Sequence, residues 1–126
     1  MGGRMTRELR RAFQAGAGRV IVIGTDLPAL ETSDLDSAAE ALLRAPLVLG
    51  PARDGGYWLI GLNRSGFRRA GSRLMSGIPW GSDQVLQRSL AAAAAHQLPA
   101  VLLRQQNDID EPSDLEDWLR CQLPPV

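Results

Sequence analysis

A chain of 126 residues is long enough for one domain with a single hydrophobic core. Its 14 basic and 14 acidic residues balance to a formal net charge of zero, which argues against nucleic acid or an acidic membrane surface as a partner. All the basic residues are Arg, so the sequence excludes a Schiff-base lysine and the lysine of a P-loop.

The sequence has one cysteine, Cys121, and one histidine, His96. These counts exclude an internal disulfide framework and a metal site built from several thiolates or imidazoles. No apolar run approaches the length of a membrane span, and the amino terminus lacks the hydrophobic block of a signal peptide. We therefore expect a soluble, cytoplasmic protein.

The first elements are a helix and a buried strand. Residues 5–15 place Leu9, Ala12 and Phe13 on one face, which predicts an amphipathic helix with solvated arginines on the others. The apolar run at residues 20–23 is typical of a strand covered on both faces. Asp26 follows it, and there a carboxylate either holds a hard cation or shapes the turn before the next helix.

A second helix and a second strand follow. Thr32 or Ser33 is the expected N-cap of a helix that ends near Arg44, and residues 47–50 predict a short strand. The order strand, helix, strand predicts a right-handed βαβ unit with its two strands paired in parallel.

Residues 51–62, PARDGGYWLIGL, allow two interpretations. Asp54 and the two adjacent glycines are turn formers, so the stretch predicts a hairpin turn that leads into an edge or antiparallel strand. The glycines would equally let the backbone approach a ligand, with Asp54 accepting from sugar hydroxyls and Tyr57 or Trp58 providing a stacking face.

The next segments are more ordinary. Residues 63–76 are rich in arginine and predict a surface loop or short helix with solvated charges. Ser82 is the expected cap of a long helix that runs into the alanines at 91–95. Trp80, at the entry to that helix, is interpreted as a packed anchor rather than a ligand platform.

Residues 100–103 predict a third strand of the parallel type, followed by an acidic segment. Ser113 and Glu116 predict a capping box for a last helix, with Leu115, Trp118 and Leu119 packed inward. Asp108 and Asp110 either cap that helix or, together with Asp26, complete a metal site at one edge of the sheet. Carboxylates without nearby His or Cys suit Mg²⁺ or Mn²⁺, which would neutralise charge on the phosphates of a nucleotide substrate.

Four segments, in this order, resemble the signatures of one family: GTDLPAL (24–30), LGPARDGGYWLIGL (49–62), IPWGSDQVL (78–86) and DIDEPSDL (108–115). It is a bacterial glycosyltransferase-like family of unknown function, related to molybdenum-cofactor and phospholactate guanylyltransferases. Its members are often labelled arsenosugar-biosynthesis glycosyltransferases or selenodomain-associated transferases. The resemblance implies an α/β, Rossmann-like GT-A (nucleotide-diphospho-sugar transferase) fold, here its carboxyl-terminal portion, with a mostly parallel sheet flanked by helices.

The resemblance also implies roles for individual residues. Asp26 and Asp54 would be catalytic, and Asp26 and Asp110 would bind Mg²⁺ or Mn²⁺, with Asp108 as neighbour or alternate ligand. A nucleotide or nucleotide-sugar donor would transfer a nucleotidyl or glycosyl group to a small-molecule acceptor. The implied substrate-binding residues are Thr25, Gly55, Gly56, Tyr57, Trp80, Gly81 and Ser82.

The family's first strand and its Gly-rich, Lys/Arg-bearing loop have no counterpart in this chain, whose opening MGGRM resembles the family's mid-chain LGERM segment. We therefore expect residues 1–126 to form a single truncated domain. The lost neighbours would leave an apolar strand edge, which favours a homodimer. The alternative to an enzyme is a non-catalytic remnant, or a module that needs a partner chain to complete the nucleotide site. A phosphatase or receiver-like domain is disfavoured because the chain has no lysine.

Overall fold

The computed structural model describes residues 2–24, 31–80, 82–106 and 118–125. Four helices and five strands are described within these ranges. They are α1 (Gly2–Gln14), β1 (Arg19–Gly24), α2 (Thr32–Ala41), β2 (Leu47–Pro51), β3 (Tyr57–Asn63), α3 (Arg64–Met75), α4 (Val85–Ala95), β4 (Ala100–Leu102) and β5 (Trp118–Leu123).

The five strands form one mixed sheet in the order β4-β2-β3-β1-β5. β2 and β4 pair in parallel, as expected for the third predicted strand, whereas β3 is antiparallel to both β2 and β1, and β5 is antiparallel to β1. The expectation of a mostly parallel sheet is therefore wrong for the described residues. The sheet is mixed because β3 returns from β2 through a tight turn, and such a turn joins antiparallel neighbours.

β3 also separates the two strands that the sequence predicted as direct partners. β1 and β2 run in the same direction, but each pairs with β3 and not with the other. The sequence of β3 explains this central position, since Tyr57 through Leu62 are buried on both faces of the sheet. An edge strand would leave some of that apolar surface in water, so the central place is favoured.

The helices cover both faces of the sheet, and the side chains of β1 alternate between them. Val20 and Val22 belong to the larger hydrophobic cluster, which includes residues of α1, α3 and α4. Ile21 and Ile23 belong to the smaller cluster, with Ala38 of α2. The prediction of a buried strand covered on both faces is confirmed, as is the amphipathic first helix, whose Leu9, Ala12 and Phe13 are buried.

The predicted last helix is wrong at its carboxyl end. Trp118 and Leu119 lie in β5, which pairs with β1 from Gly24↔Trp118 to Arg19↔Leu123. Cys121 and Leu123 pack on the smaller cluster and Arg120 is exposed, as the two-residue period of a strand requires. The remaining residues of that prediction, Ser113, Leu115 and Glu116, lie outside the described residues.

β5 also changes the expectation about an open sheet edge. β1 is hydrogen-bonded to β3 on one side and to β5 on the other, so the exposed apolar edge that was expected is covered at β1. The homodimer that was expected on that basis stays a prediction. No helix in the described part of the chain has the length and apolar character needed to cross a membrane.

Residues 63–76 form a helix that is packed more closely than the predicted surface loop or short helix. α3 contacts α1 and α4 and buries Ala70, Leu74 and Met75. Asn63 caps it, because its side-chain oxygen accepts from the Gly66 N–H at 2.8 Å. The amide of Asn63 also donates to two carbonyl oxygens beyond the end of α2, those of Leu42 and Ala45, each at 3.3 Å.

We predict that Asn63→Ala lowers the free energy of unfolding by about 2 kcal/mol, because it removes a helix cap and two hydrogen bonds. Asn63→Ser is the matched variant, since it keeps a capping oxygen and loses the two donors. Urea denaturation should rank the wild type above Asn63→Ser and Asn63→Ser above Asn63→Ala. Equal losses in the two variants would contradict the capping role.

Candidate functional site

The turn between β2 and β3 is held by its own hydrogen bonds. Asp54 Oδ1 accepts from the Gly56 N–H at 3.0 Å, and the Gly56 carbonyl accepts from the Ala52 N–H at 2.9 Å. Gly55 has a φ of +93°, a conformation that favours glycine. The predicted hairpin is confirmed, and it presents the Asp54 side chain on the surface.

This turn lies directly against the loop that leads into α4. The Gly55 carbonyl accepts from the Leu86 N–H at 2.9 Å, and the backbone of Asp83 fills the space where a Cβ of Gly55 would stand. Two of the four sequence motifs therefore share one surface. Ser82 is part of it, but the expectation that Ser82 caps α4 is wrong. The N-cap residue is Gln84, and Ser82 Oγ accepts from the Gln84 N–H at 3.2 Å to form a local turn.

Tyr57 and Trp80 form the aromatic part of this surface. Their rings are in edge-on contact, with centroids 6.2 Å apart and an interplanar angle of 79°. Tyr57 is only 5 % exposed, and this burial raises the pKa of its phenol. Tyr57 is therefore neutral and packed inward, while Trp80 is half-buried, as expected of a packed anchor.

At the same end of the sheet, the buried carboxylate of Asp34 binds two residues that follow β4. Asp34 accepts from Arg104 Nε at 2.7 Å and from Arg104 Nη2 at 2.8 Å, and Gln106 Nε2 donates to it at 3.3 Å. We call Asp34, Arg104 and Gln106 the Asp34 clamp. The Asp34 side chain is 6 % exposed, and the hydrogen bonds from Arg104 hold the pKa of its carboxyl below the usual value.

The Asp34 clamp also forms the start of α2. Asp34 accepts from the Glu31 N–H at 2.9 Å and Glu31 is the N-cap, so the two form a capping box in place of the cap expected at Thr32 or Ser33. The clamp is also joined to the core of the protein, because the Arg104 carbonyl accepts from the indole N–H of Trp58 at 3.2 Å. The Trp58 ring is fully buried in the core, so it does not provide the stacking face considered for it.

The clamp joins segments that are far apart in the sequence. Glu31 is the first residue described after the segment that contains Asp26, and Gln106 is the last one described before the segment that contains Asp108 and Asp110. The backbone of Gln106 also donates to the Pro51 carbonyl and accepts from the Arg53 N–H, each at 3.1 Å, which attaches it to the Asp54 turn. Glu31, Gln106 and the Asp54 turn are thus held together at one end of the sheet.

The structure brings together six of the predicted site residues, Asp54, Gly55, Gly56, Tyr57, Trp80 and Ser82. The other five, Thr25, Asp26, Gly81, Asp108 and Asp110, lie outside the described residues. Among the residues that are described, no group of three or more His, Cys, Asp or Glu side chains could hold a metal ion.

Sequence reasoning missed the positioning role of the clamp. The three-residue spacing of Glu31 and Asp34 was the available local signal, since a capping box needs that spacing. Arg104 and Gln106 carry no such signal, because they lie 70 and 72 residues from Asp34.

We predict that Gly55→Ala disrupts the contact between the turn and the α4 loop, whereas Gly56→Ala is tolerated. Gly55 has a left-handed backbone conformation, and a Cβ there would overlap the Asp83 backbone. A Cβ at Gly56 would meet only Asp54 Oδ1, at 3.4 Å. Gly55→Ala should lower the free energy of unfolding by about 2 kcal/mol or more, and Gly56→Ala by less than about 1 kcal/mol. Thermal denaturation of the pair tests this, and the reverse order would contradict the contact.

We predict that Asp34→Asn lowers the free energy of unfolding by about 2 kcal/mol near neutral pH, since it removes a charge-assisted pair whose arginine is 48 % exposed. Because folding lowers the pKa of Asp34, its contribution is complete above the ordinary carboxyl pKa near 4 and is lost as the pH falls through the folded value. Denaturation of wild type and variant should therefore converge in acid. Asp36→Asn, at an exposed position on α2, is the control and should show no such convergence.

The comparisons with known proteins agree with this architecture. Residues 1–82 match the family described as "Uncharacterized protein conserved in bacteria (DUF2064)". No curated protein matches the chain. The match covers α1 to α3 and the turn at Asp54, so it includes three of the helices and the hairpin described above.

A solved structure is similar to almost the whole chain. It is the crystal structure of a candidate nucleotide-diphospho-sugar transferase from Desulfovibrio desulfuricans G20, which superposes with a TM-score of 0.80 at 32 % sequence identity. The match covers 87 % of this chain and 46 % of that one, so the chain spans about half the length of this relative. A mixed sheet flanked by helices and this similarity together give the chain a GT-A-like fold. Since the family match covers more than half of its residues, the chain belongs to the DUF2064 family of bacterial proteins.

Proposed function

We propose that this chain carries the metal-binding and acceptor-binding half of a transferase. The enzyme would move a nucleotidyl or glycosyl group from a nucleotide or nucleotide-sugar donor to a small-molecule acceptor. The single observation that carries the proposal is the meeting of two motifs, the Asp54 turn and the α4 loop, at the end of the sheet where the Asp34 clamp holds Glu31 and Gln106, which flank the other two. The similarity to a candidate nucleotide-diphospho-sugar transferase supports it.

Asp26 and Asp110 are the proposed ligands of Mg²⁺ or Mn²⁺, with Asp108 as neighbour or alternate. Carboxylate oxygens suit such a hard cation. The side-chain oxygen of Gln106, next to the segment that contains Asp108 and Asp110, is buried and accepts no hydrogen bond from the described residues, so it is a further candidate donor. When bound, the metal would neutralise the negative charge of the donor phosphates.

The acceptor is proposed to lie against the Asp54 turn. One carboxylate oxygen of Asp54 is held by the Gly56 N–H, and the exposed carboxylate is thereby oriented to accept a hydrogen bond from an acceptor hydroxyl. Trp80 is partly exposed beside the turn, and Tyr57 supports its ring from within the core. Thr25, Gly81 and Ser82 are the proposed further contacts of the substrate.

A second candidate is a non-catalytic module that needs a partner chain to complete the nucleotide site. We keep this candidate because the match covers only 46 % of the similar transferase. The two candidates differ in what the isolated chain binds: the transferase half should bind metal and donor on its own, and the module should not.

We predict that the chain binds a nucleoside triphosphate or a nucleotide sugar in the presence of Mn²⁺, measured by isothermal titration calorimetry with a panel of donors. Asp26→Asn should weaken this binding at least about tenfold, because a lost metal ligand removes about 1.4 kcal/mol or more. Asp36→Asn, which removes a carboxylate away from the proposed site, should leave it within twofold. Absence of donor binding by the folded chain would contradict an autonomous site and favour the module.

A further inference from the structure

The chain has no net charge, but two helices on one face of the sheet, α1 and α3, are rich in arginine. Each carries four of the 14 arginines. Glu8 is the acidic residue on these two helices, and it is already paired with Arg11 and Arg120. This face of an overall neutral chain is therefore strongly basic.

Five of these arginines lie around one recess. A cavity of about 480 Å³ opens between α1 and α3, and it continues into a second recess of about 240 Å³ that shares Arg10, Phe67 and Arg68 with it. Among the described residues, no acidic side chain lines either part. The arginines that line this surface, which we call the Arg groove, are Arg10, Arg64, Arg68, Arg69 and Arg73.

The shape of α3 makes this convergence possible. In a regular helix, Arg68 and Arg73 would point about 140° apart, because they are five residues apart. Gly71 breaks the helix between them with a φ of +31° and a ψ of −112°. Beyond this kink Arg73 lines the same recess as Arg68.

The arginines of the groove differ in their partners. Arg64 has a structural role, since its Nη2 donates to the carbonyls of Phe13 and Ala17 at 2.9 and 2.8 Å. Arg10, Arg68 and Arg73 have no hydrogen-bond or ion-pair partner among the described residues. Several guanidinium groups around one recess repel one another, and a multivalent anion would relieve that repulsion with charge-assisted hydrogen bonds.

We propose that the Arg groove binds a compact polyphosphate anion, either free or as the phosphate chain of a nucleotide. A guanidinium matches phosphate oxygens in a bidentate geometry, and the cavity volume lies in the range of small-molecule sites. The five arginines surround one shallow recess, which favours a compact anion over a nucleic acid, since a nucleic acid would need a longer basic surface.

The Arg groove is separate from the candidate transferase site. Arg64 directly follows β3, whereas the Asp54 turn directly precedes it. The strand runs from Tyr57 to Asn63, so the two sites lie roughly 20 Å apart along it. Binding in the groove does not depend on the proposed function, and each can fail without the other.

The test is calorimetric titration of the full chain with inorganic tripolyphosphate at low ionic strength and without metal, followed by ATP as the nucleotide arm. The double variant Arg10→Gln/Arg68→Gln should raise the Kd for tripolyphosphate at least about tenfold. Arg7→Gln/Arg88→Gln removes the same charge from two exposed positions outside the groove and should change the Kd less than about twofold. Asp26→Asn should bind tripolyphosphate as the wild type does.

Thermal denaturation gives an independent readout. Tripolyphosphate should raise the Tm of the wild type and of the control variant, but not that of the groove variant, whose own Tm shows that it is folded. Tighter binding of ATP than of tripolyphosphate would identify a nucleotide as the ligand. The proposal is overturned if tripolyphosphate does not bind at millimolar concentration, if both double variants lose affinity equally, or if a single-stranded RNA displaces tripolyphosphate from the groove.

Discussion

The architecture of the candidate site depends on one buried carboxylate. Burial of a charge is unfavourable unless donors surround it, and Asp34 receives two hydrogen bonds from Arg104, one from Gln106 and one from the Glu31 backbone. Each donor comes from a segment that must reach Asp34 to make its bond. The electrostatics of a single side chain thereby fix the start of α2 and the exit of β4 relative to each other.

The central strand β3 positions its two neighbouring strands and the segments at both of its ends. It pairs with β1 and β2, and its first residue follows the turn that contacts both Gln106 and the α4 loop. Its last residue caps α3 and ties that helix to the end of α2. The two ends of one buried strand therefore support two surfaces, the Asp54 turn with the Asp34 clamp at one end and the Arg groove at the other.

The sequence predicted the elements whose structure depends on residues that are close together in the chain. The helical period of α1, the apolar run of β1 and the glycines at 55 and 56 each specify structure within a few residues, and these predictions are confirmed. The failures concern contacts between distant segments. β3 lies between β1 and β2 because its sequence is apolar on both faces, and Trp118 lies in a strand because β1 offers an edge to pair with. The Asp54 and α4-loop motifs were found from sequence, but Arg104 is 70 residues from Asp34 and no spacing rule connects them.

The proposed function requires a metal ion to bind at the end of the sheet that carries the Asp54 turn and the Asp34 clamp. Paramagnetic line broadening of backbone amide resonances by substoichiometric Mn²⁺ tests it most directly, because the effect falls steeply with distance from the ion. We predict strong broadening at Glu31, Gly55, Gly56 and Gln106, and much weaker broadening at Asn63 and Arg64 at the far end of β3. Equal broadening at both ends, or stronger broadening at Asn63 and Arg64, would contradict the account.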